Sequence, residues 1–424
     1  MQRISAWRLK IMPMENLFMK TRVNKNLMGL FTSVFLIFSY NNIFMTITPV
    51  YLMKLGGNQF LVGLQSAIFL ISAIGLRFFF GPLADVKGPK LTMFIGAGAF
   101  LAAGILFIFS SHVWEVFFLR FIQAIGLAAY FPGATTTVMN GAPEGMVGRY
   151  VGIYRLVTTS TLLFGPVFAL GLIAAQGYEV YYLIMAVVAL IGLLLILPIH
   201  NRIQPFNNNR KYRHSLTIEN FKGTFVIYFT TFVFAIGYGL LFNFTILFVT
   251  AHTNISNPGQ FYTLFAIGGI IASLTLGMMS DKIGRLRAMT FALFFLGIGI
   301  GGFYFIPGAS SLFYLSGLFT GFGYSGGIVI SVAWIGDSVS QRIRSTALSF
   351  HQNCIDLGIA FGSSTFGIVL GKFNYSPMIF ACMGIGLIAY MPILLHSNRK
   401  IDRIRSNGGD FSGSNGEMDR ESRL

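Results

Sequence analysis

Five ionisable side chains stand inside stretches of this chain that are otherwise apolar: Arg77, Arg120, Arg155, His351 and Asp356. An ionisable group in such a setting is costly, and it marks a solute path, a proton relay or a counter-ion. Arg120 and Gln123 are three residues apart and share a helix face. A guanidinium does not give up its proton, so Arg120 is expected to bind an anion or to set the field around a carboxylate. His351, Gln352, Asn353 and Asp356 form a polar arc of roughly one and a half helical turns. Asp356 is the deepest carboxylate in any apolar stretch and is the expected proton-coupling residue, with Arg120 as its partner and His351 sharing the proton. The competing reading of each is structural: an Arg bonded to backbone carbonyls, an Asp paired within its own half, a His packed against amides. There is no nucleophile–base spacing and no phosphate loop. Cys354 and Cys382 are the only cysteines, so no disulfide framework or metal spacing arises. Neither an enzyme nor a metal or cofactor site is expected.

The elements that position these groups follow from composition. The 424 residues are 54% hydrophobic and only 10% charged, against about 25% charged in soluble proteins. Apolar runs of bilayer-crossing length recur along the chain. Twelve are delimited, at 27–53, 60–84, 91–110, 113–137, 147–175, 178–199, 222–250, 257–280, 287–306, 310–336, 344–371 and 375–396. The expected organisation is a tail at 1–26, a six-helix bundle at 27–199, a polar linker at 200–221, a second six-helix bundle at 222–396 and a disordered tail at 397–424. The net charge of +16 could suggest nucleic acid, but the charges are placed otherwise. Of the 30 Lys and Arg, 25 fall in the two tails, the linker and the loops after even-numbered segments. By the positive-inside rule that side is the cytoplasm. Both termini are therefore expected to be cytoplasmic, in an inner or plasma membrane.

Two loops repeat one another. Gly81-Pro82-Leu83-Ala84-Asp85-Val86-Lys87-Gly88-Pro89-Lys90-Leu91 is echoed by Gly277-Met278-Met279-Ser280-Asp281-Lys282-Ile283-Gly284-Arg285-Leu286-Arg287, an offset of 196 residues. Such a repeat marks a duplicated half. Gly-x-x-x-Asp-x-x-Gly with flanking basic residues, between the second and third segments of each half, resembles the signature loop of the major facilitator superfamily of secondary transporters. The second copy matches more closely; Val86 and Pro89 stand in the first where the family has basic residues. Arg120-Phe121-Ile122-Gln123-Ala124-Ile125-Gly126 resembles the fourth-segment motif of proton-coupled members. Gly152, Gly165 and Pro166 partly match the fifth-segment motif of the twelve-span drug:H⁺ antiporters, although Thr161, Ala169 and Leu170 replace its other glycines.

The resemblance implies an all-α membrane protein: twelve transmembrane helices in two pseudo-symmetric six-helix bundles, working by alternating access. It implies gating roles for Gly81, Asp85, Gly88, Arg149, Gly277, Asp281, Gly284, Arg285 and Arg344, with Asp85 facing Arg344 and Asp281 facing Arg149. It also implies that Tyr40, Asn41, Gln123, Tyr130, Arg155, Tyr238, Asn243 and Tyr324 contact substrate. The leading expectation is proton-coupled export of a small organic metabolite or drug, with an anion suggested by the three arginines. The alternatives are proton-coupled uptake of an anionic nutrient and, in another class, a receptor or scaffold that no longer transports. The expected partners are the solute, protons and the lipid bilayer, with no nucleic acid and with the chain acting as a monomer.

Overall fold

A computed structural model describes residues 25–142, 147–199, 218–339, 344–373 and 375–407. The side chains of Asp85, Arg149 and Arg344 lie outside the described residues, as do the first tail, most of the linker and the last seventeen positions. The described residues are almost wholly helical: α1 (Lys25–Lys54), α2 (Gln59–Lys87), α3 (Pro89–Ile108), α4 (Val113–Gly141), α5 (Val147–Leu194), α6 (Ile218–His252), α7 (Gln260–Ile283), α8 (Arg285–Gly301), a 3₁₀ turn (Gly302–Phe305), α9 (Leu312–Ser338), α10 (Arg344–Phe373) and α11 (Pro377–Asn407).

Ten of these helices are long and apolar enough to cross a membrane, and Pro377–Pro392 is a shorter apolar helix. The apolar part of α5, Gly152–Leu194, is 43 residues long. At 1.5 Å per residue it would measure roughly 65 Å, about twice a hydrocarbon core. The helix breaks at Gly177, where φ is 83° and ψ is 178°, as the gap between the fifth and sixth apolar segments predicts. α11 continues to Asn407, into the segment expected as a tail. Arg399, Lys400, Arg403 and Arg405 are good helix formers, and they carry the helix past its apolar stretch.

The repeated loops are single-residue turns. α2 ends at Lys87 and α3 begins at Pro89; Gly88 between them has φ 89° and ψ 153°. Gly284, 196 residues on, has φ 90° and ψ 147° between α7 and α8. Only glycine adopts that backbone without strain. Pro89 then starts its helix at N1, where its missing N–H costs nothing. At the opposite end, Asn58 caps α2 by accepting from the Leu61 N–H at 3.0 Å, and Glu115 accepts from the Ser111 and His112 N–H groups at 2.6 and 3.0 Å to start α4. The end bearing Gly88 and Gly284 is called the loop end below; the other is the far end.

Helices α1–α5 pack on one another, as do α6–α11. The sets meet most extensively along two antiparallel seams, α2 on α10 and α5 on α7, and α1 and α2 also touch α6. The seams are related by the 196-residue repeat. In the first, a Cβ on Gly63 would run into the Ser363 carbonyl. In the second, a Cβ on Gly259, the repeat mate of Gly63, would lie 2.8 Å from the Pro166 carbonyl oxygen. Both approaches need glycine, and both lie at the far end. Asn257 Nδ2 donates to the Val167 carbonyl at 3.1 Å, and Thr263 Oγ1 donates to the Leu163 carbonyl at 2.6 Å.

Candidate functional site

The α2–α10 seam carries charge at mid-depth. Arg77 lies ten residues before the end of α2, and Asp356 twelve residues into α10. Their side chains form an ion pair through Arg77 Nη1 and Asp356 Oδ2. The same Nη1 donates to Asn353 Oδ1 at 3.0 Å, and Gln352 Nε2 donates to Asp356 Oδ1 at 3.2 Å. The Asp356 side chain is 5% exposed and that of Arg77 16%. A buried carboxylate in such a place is tolerated because a cation pairs with it and an amide N–H donates to it. The polar arc 351–356 is therefore split. Asn353 and Asp356 face α2, while His351 turns to α9, where its Nε2 lies 2.8 Å from Ser331 Oγ. Ser331 Oγ also lies 2.7 Å from the Gly327 carbonyl and 3.0 Å from that of Ile328, so its one hydroxyl proton is shared among three acceptor positions, with the imidazole tautomer setting which of Ser331 and His351 donates.

Arg120 does not reach Asp356. It is 1% exposed within the α1–α5 set. Its Nη1 donates to Gln123 Oε1 at 2.8 Å, its Nη2 lies 3.9 Å from Met45 Sδ, and its guanidinium sits 4.0 Å from the centre of the Phe69 ring. Gln123 in turn donates to Tyr40 OH at 3.2 Å. No carboxylate pairs with Arg120 among the described residues. A cation–π contact in a dry setting contributes about 2 kcal/mol, while sealing an ion from water costs several kcal/mol, so the cage leaves this charge undercompensated.

The expected substrate contacts divide into two groups. Arg155 is exposed and makes no side-chain hydrogen bond or ion pair among the described residues. Its charge acts on His351 and on Tyr324 across the two helix sets. Tyr324 and Tyr238 stack with ring centres 3.9 Å apart and planes 10° apart. The others, like Tyr324 itself, are buried. Tyr40 and Tyr130 are fully buried in the first set, and Tyr130 OH shares a 2.7 Å hydrogen bond with Ser33. Asn41 is 8% exposed and Gln123 is held between Arg120 and Tyr40. Asn243 is tied across to α2, accepting from Ser66 Oγ at 2.5 Å and from Gln65 Nε2 at 3.2 Å. It is a far-end fastening between the helix sets.

At the loop end, Arg285 Nη1 pairs with Asp281 Oδ1 at 2.6 Å and donates to Ser280 Oγ at 2.6 Å, while its Nε meets Asp337 Oδ2 on α9 at 2.8 Å. Asp281 thus has its partner within its own helix set, and the expected facing residue Arg149 lies outside the described side chains, as do Asp85 and Arg344. Gly81 and Gly277 sit within the last turns of α2 and α7. In α5, Gly152 is exposed, a Cβ on Gly165 would lie 2.9 Å from Ile43, and Pro166 forms the seam with Gly259. Sequence reasoning missed the partner of Asp356, which is Arg77, along with Ser331, Ser66 and Asp337. The repeat carries no signal for Arg77, whose mate is Ser273.

Long apolar helices fastened by two repeat-related seams, with a buried ion pair in one of them, have the build of an integral membrane transporter. The Major Facilitator Superfamily model matches residues 30–256 and 227–411, and the chain belongs to that family. Multidrug resistance protein MdtG of Escherichia coli (strain K12 / DH10B) is 25% identical over 287 residues, covering 64% of this chain and 70% of that protein. The resemblance to the drug/metabolite:H⁺ antiporter group thus stands, and the protein is a transporter rather than an enzyme. In fold it is similar to the nucleoside transporter NupG, with TM-score 0.75 and 15% identity over 88% of this chain and 100% of that one. It is also similar to a point mutant of a peptide transporter POT in complex with sulfate, with TM-score 0.73 and 14% identity over 89% of this chain and 95% of that one.

Proposed function

We propose that this protein is a proton-coupled secondary transporter that exports a small organic solute by alternating access. The reading includes twelve spans, counting α5 as two and the apolar part of α11 as one, in two six-helix bundles at 27–199 and 222–396. The loop end, linker and both termini then lie in the cytoplasm, and a far end closed by both seams makes this an inward-facing form. The observation that carries the reading is the Arg77–Asp356 pair. It spans the two bundles at mid-membrane, so protonation of Asp356 removes the charge that holds Arg77 and loosens the α2–α10 seam. Asp356 is the coupling residue. Arg155, Tyr238 and Tyr324 supply the solute-facing surface, and His351 supports it through Ser331. The loop glycines and the Asp281–Arg285–Asp337 cluster set the loop-end gate. Export is supported by the similarity to a multidrug resistance protein and by the Gly165-Pro166 pair in α5.

The charge at the pair constrains what can be exchanged. A solute that moves against protons must compete with the proton, so it must bind the ionised form of Asp356; a cation or a neutral hydrogen-bond donor does this. An anion does the reverse. Protonating Asp356 frees Arg77 to join Arg155, and linkage then makes proton and anion bind together. The second reading, proton-coupled movement of an organic anion in one direction with the proton, is favoured by the unpaired Arg155. The test is a pH-sensitive dye in energised inside-out vesicles, with cationic and anionic solutes and an Asp356→Asn control. Antiport predicts that cations or neutral solutes discharge the gradient with the wild type alone. Gradient-driven, Asp356-dependent movement of anions with protons overturns antiport in favour of the second reading. Discharge that survives Asp356→Asn removes Asp356 from either one.

A further inference from the structure

The pair at Arg77 accounts for one membrane-interior arginine and leaves Arg120 without a counter-charge. Three routes could neutralise a sealed guanidinium. A carboxylate is the usual one, and none pairs with Arg120 among the described residues. Loss of its proton is closed to a guanidinium at ordinary pH. The third is a bound anion, and the surroundings of Arg120 are built for one. Its Nε is buried and has no hydrogen-bond partner, and its Nη2 faces only the Met45 sulfur. Tyr181 is fully buried and its hydroxyl is also without a partner; its ring centre lies 5.9 Å from that of Phe44, which stacks on Tyr40, the residue that Gln123 bonds. The neighbouring Tyr182, with its ring centre 4.9 Å from that of Tyr181, repeats this: buried, with an unpartnered hydroxyl. The Arg120 Nε and these two hydroxyls are donors without acceptors in the core of one bundle. Gln65, one turn before Phe69 on α2, has a buried and unpartnered Oε1, but a neutral amide supplies no charge.

We propose that Arg120, with the Tyr181 hydroxyl, forms an internal binding site for a small monovalent anion inside the first helical bundle. The ligand class is a halide or the carboxylate of a small organic acid. Phe69 covers one face of the guanidinium and Gln123 occupies one Nη, so the anion is met at the Nε edge. The site lies within one bundle rather than between the two, and it stands or falls independently of the transport reading.

The experiment is thermal unfolding of the full chain in nanodiscs. Chloride is titrated against sulfate, a divalent anion outside the proposed class, at constant ionic strength, and acetate is titrated against sulfate in a parallel series. The wild type is expected to gain Tm saturably with chloride, as any ligand selective for the folded state requires. Arg120→Gln is expected to abolish that gain, and Arg155→Gln to retain it. Tyr181→Phe, which leaves the ring and removes one donor, is expected to weaken the apparent chloride affinity by about three- to tenfold. An Arg120-dependent gain with chloride alone assigns a halide site; one with acetate as well assigns a carboxylate site. Absence of any saturable anion effect in the wild type overturns the proposal, as does an effect that survives Arg120→Gln. If Arg120→Gln does not fold, an unchanged chloride affinity in Tyr181→Phe overturns it equally.

Discussion

The two seams between the bundles have the same scaffold and different chemistry. In each, a glycine at the start of a helix presses against a backbone carbonyl of the other bundle, and the two glycines, 63 and 259, are repeat mates. Among the described side chains, an ion pair joins the α2–α10 seam and none joins the α5–α7 seam. The repeat mates of Arg77 and Asp356 are Ser273 and Ser160, and each serine bonds within its own helix, to the Gly269 and Val157 carbonyls at 2.8 Å. Duplication therefore accounts for the close approach, and the Arg77–Asp356 pair is a feature of one seam that its repeat mates do not share. The comparison separates what holds the bundles together from what makes their contact sensitive to a proton.

The largest expected effect breaks the charged seam. Asp356→Ala leaves Arg77 buried and unpaired, and should destabilise the protein by about 3–5 kcal/mol, while Arg77→Ala leaves Asp356 in the same position. The double variant should lose much less than the sum, and a double-mutant cycle by denaturant unfolding in mild detergent measures the coupling. Additive losses would mean that the two side chains do not interact. A second, smaller effect probes the common scaffold. Gly63→Val and Gly259→Val each overpack a seam, with an expected cost of about 1–3 kcal/mol apiece. Both should shift far-end cysteine cross-linking across their seams toward the open form; a response at one glycine alone would dissolve the equivalence. The smallest effect belongs to the uncharged mates. Ser160→Ala and Ser273→Ala should change unfolding free energy by no more than about 0.5 kcal/mol and leave transport rates near those of the parent. A large loss of transport in either would show that the second seam has chemistry of its own.

Much of this architecture was legible in the sequence because it rests on long-period signals. Apolar length located the helices, the 196-residue echo located the single-residue turns at Gly88 and Gly284, and the gap before residue 178 located the break at Gly177. Asp356 stood out as a deep carboxylate by the same reasoning. What could not be read was direction. Arg120 and Arg77 are both arginines in apolar helices, and nothing local says that one faces Phe69 and Met45 while the other faces Asp356. Helical periodicity fixes which residues share a face but not what that face meets. Tyr40, Tyr130 and Asn243 were expected at the solute surface for want of that information; two are sealed in a bundle core and the third fastens α6 to α2. The helical run to Asn407 was masked by the tail's charged composition, which favours helix and disorder alike.

The α5–α7 seam has one further property. Its hydrogen bonds run from side chains of α7 and its preceding turn, Thr263 and Asn257, to main-chain carbonyls of α5, at Leu163 and Val167. A main-chain acceptor is present whatever side chain its residue bears. Mutational drift can therefore change residues 163 and 167 without removing an acceptor, whereas each donor is lost with a single substitution. The two partners across this junction carry unequal hereditary constraint: α5 offers a generic surface, and α7 holds the information that recognises it.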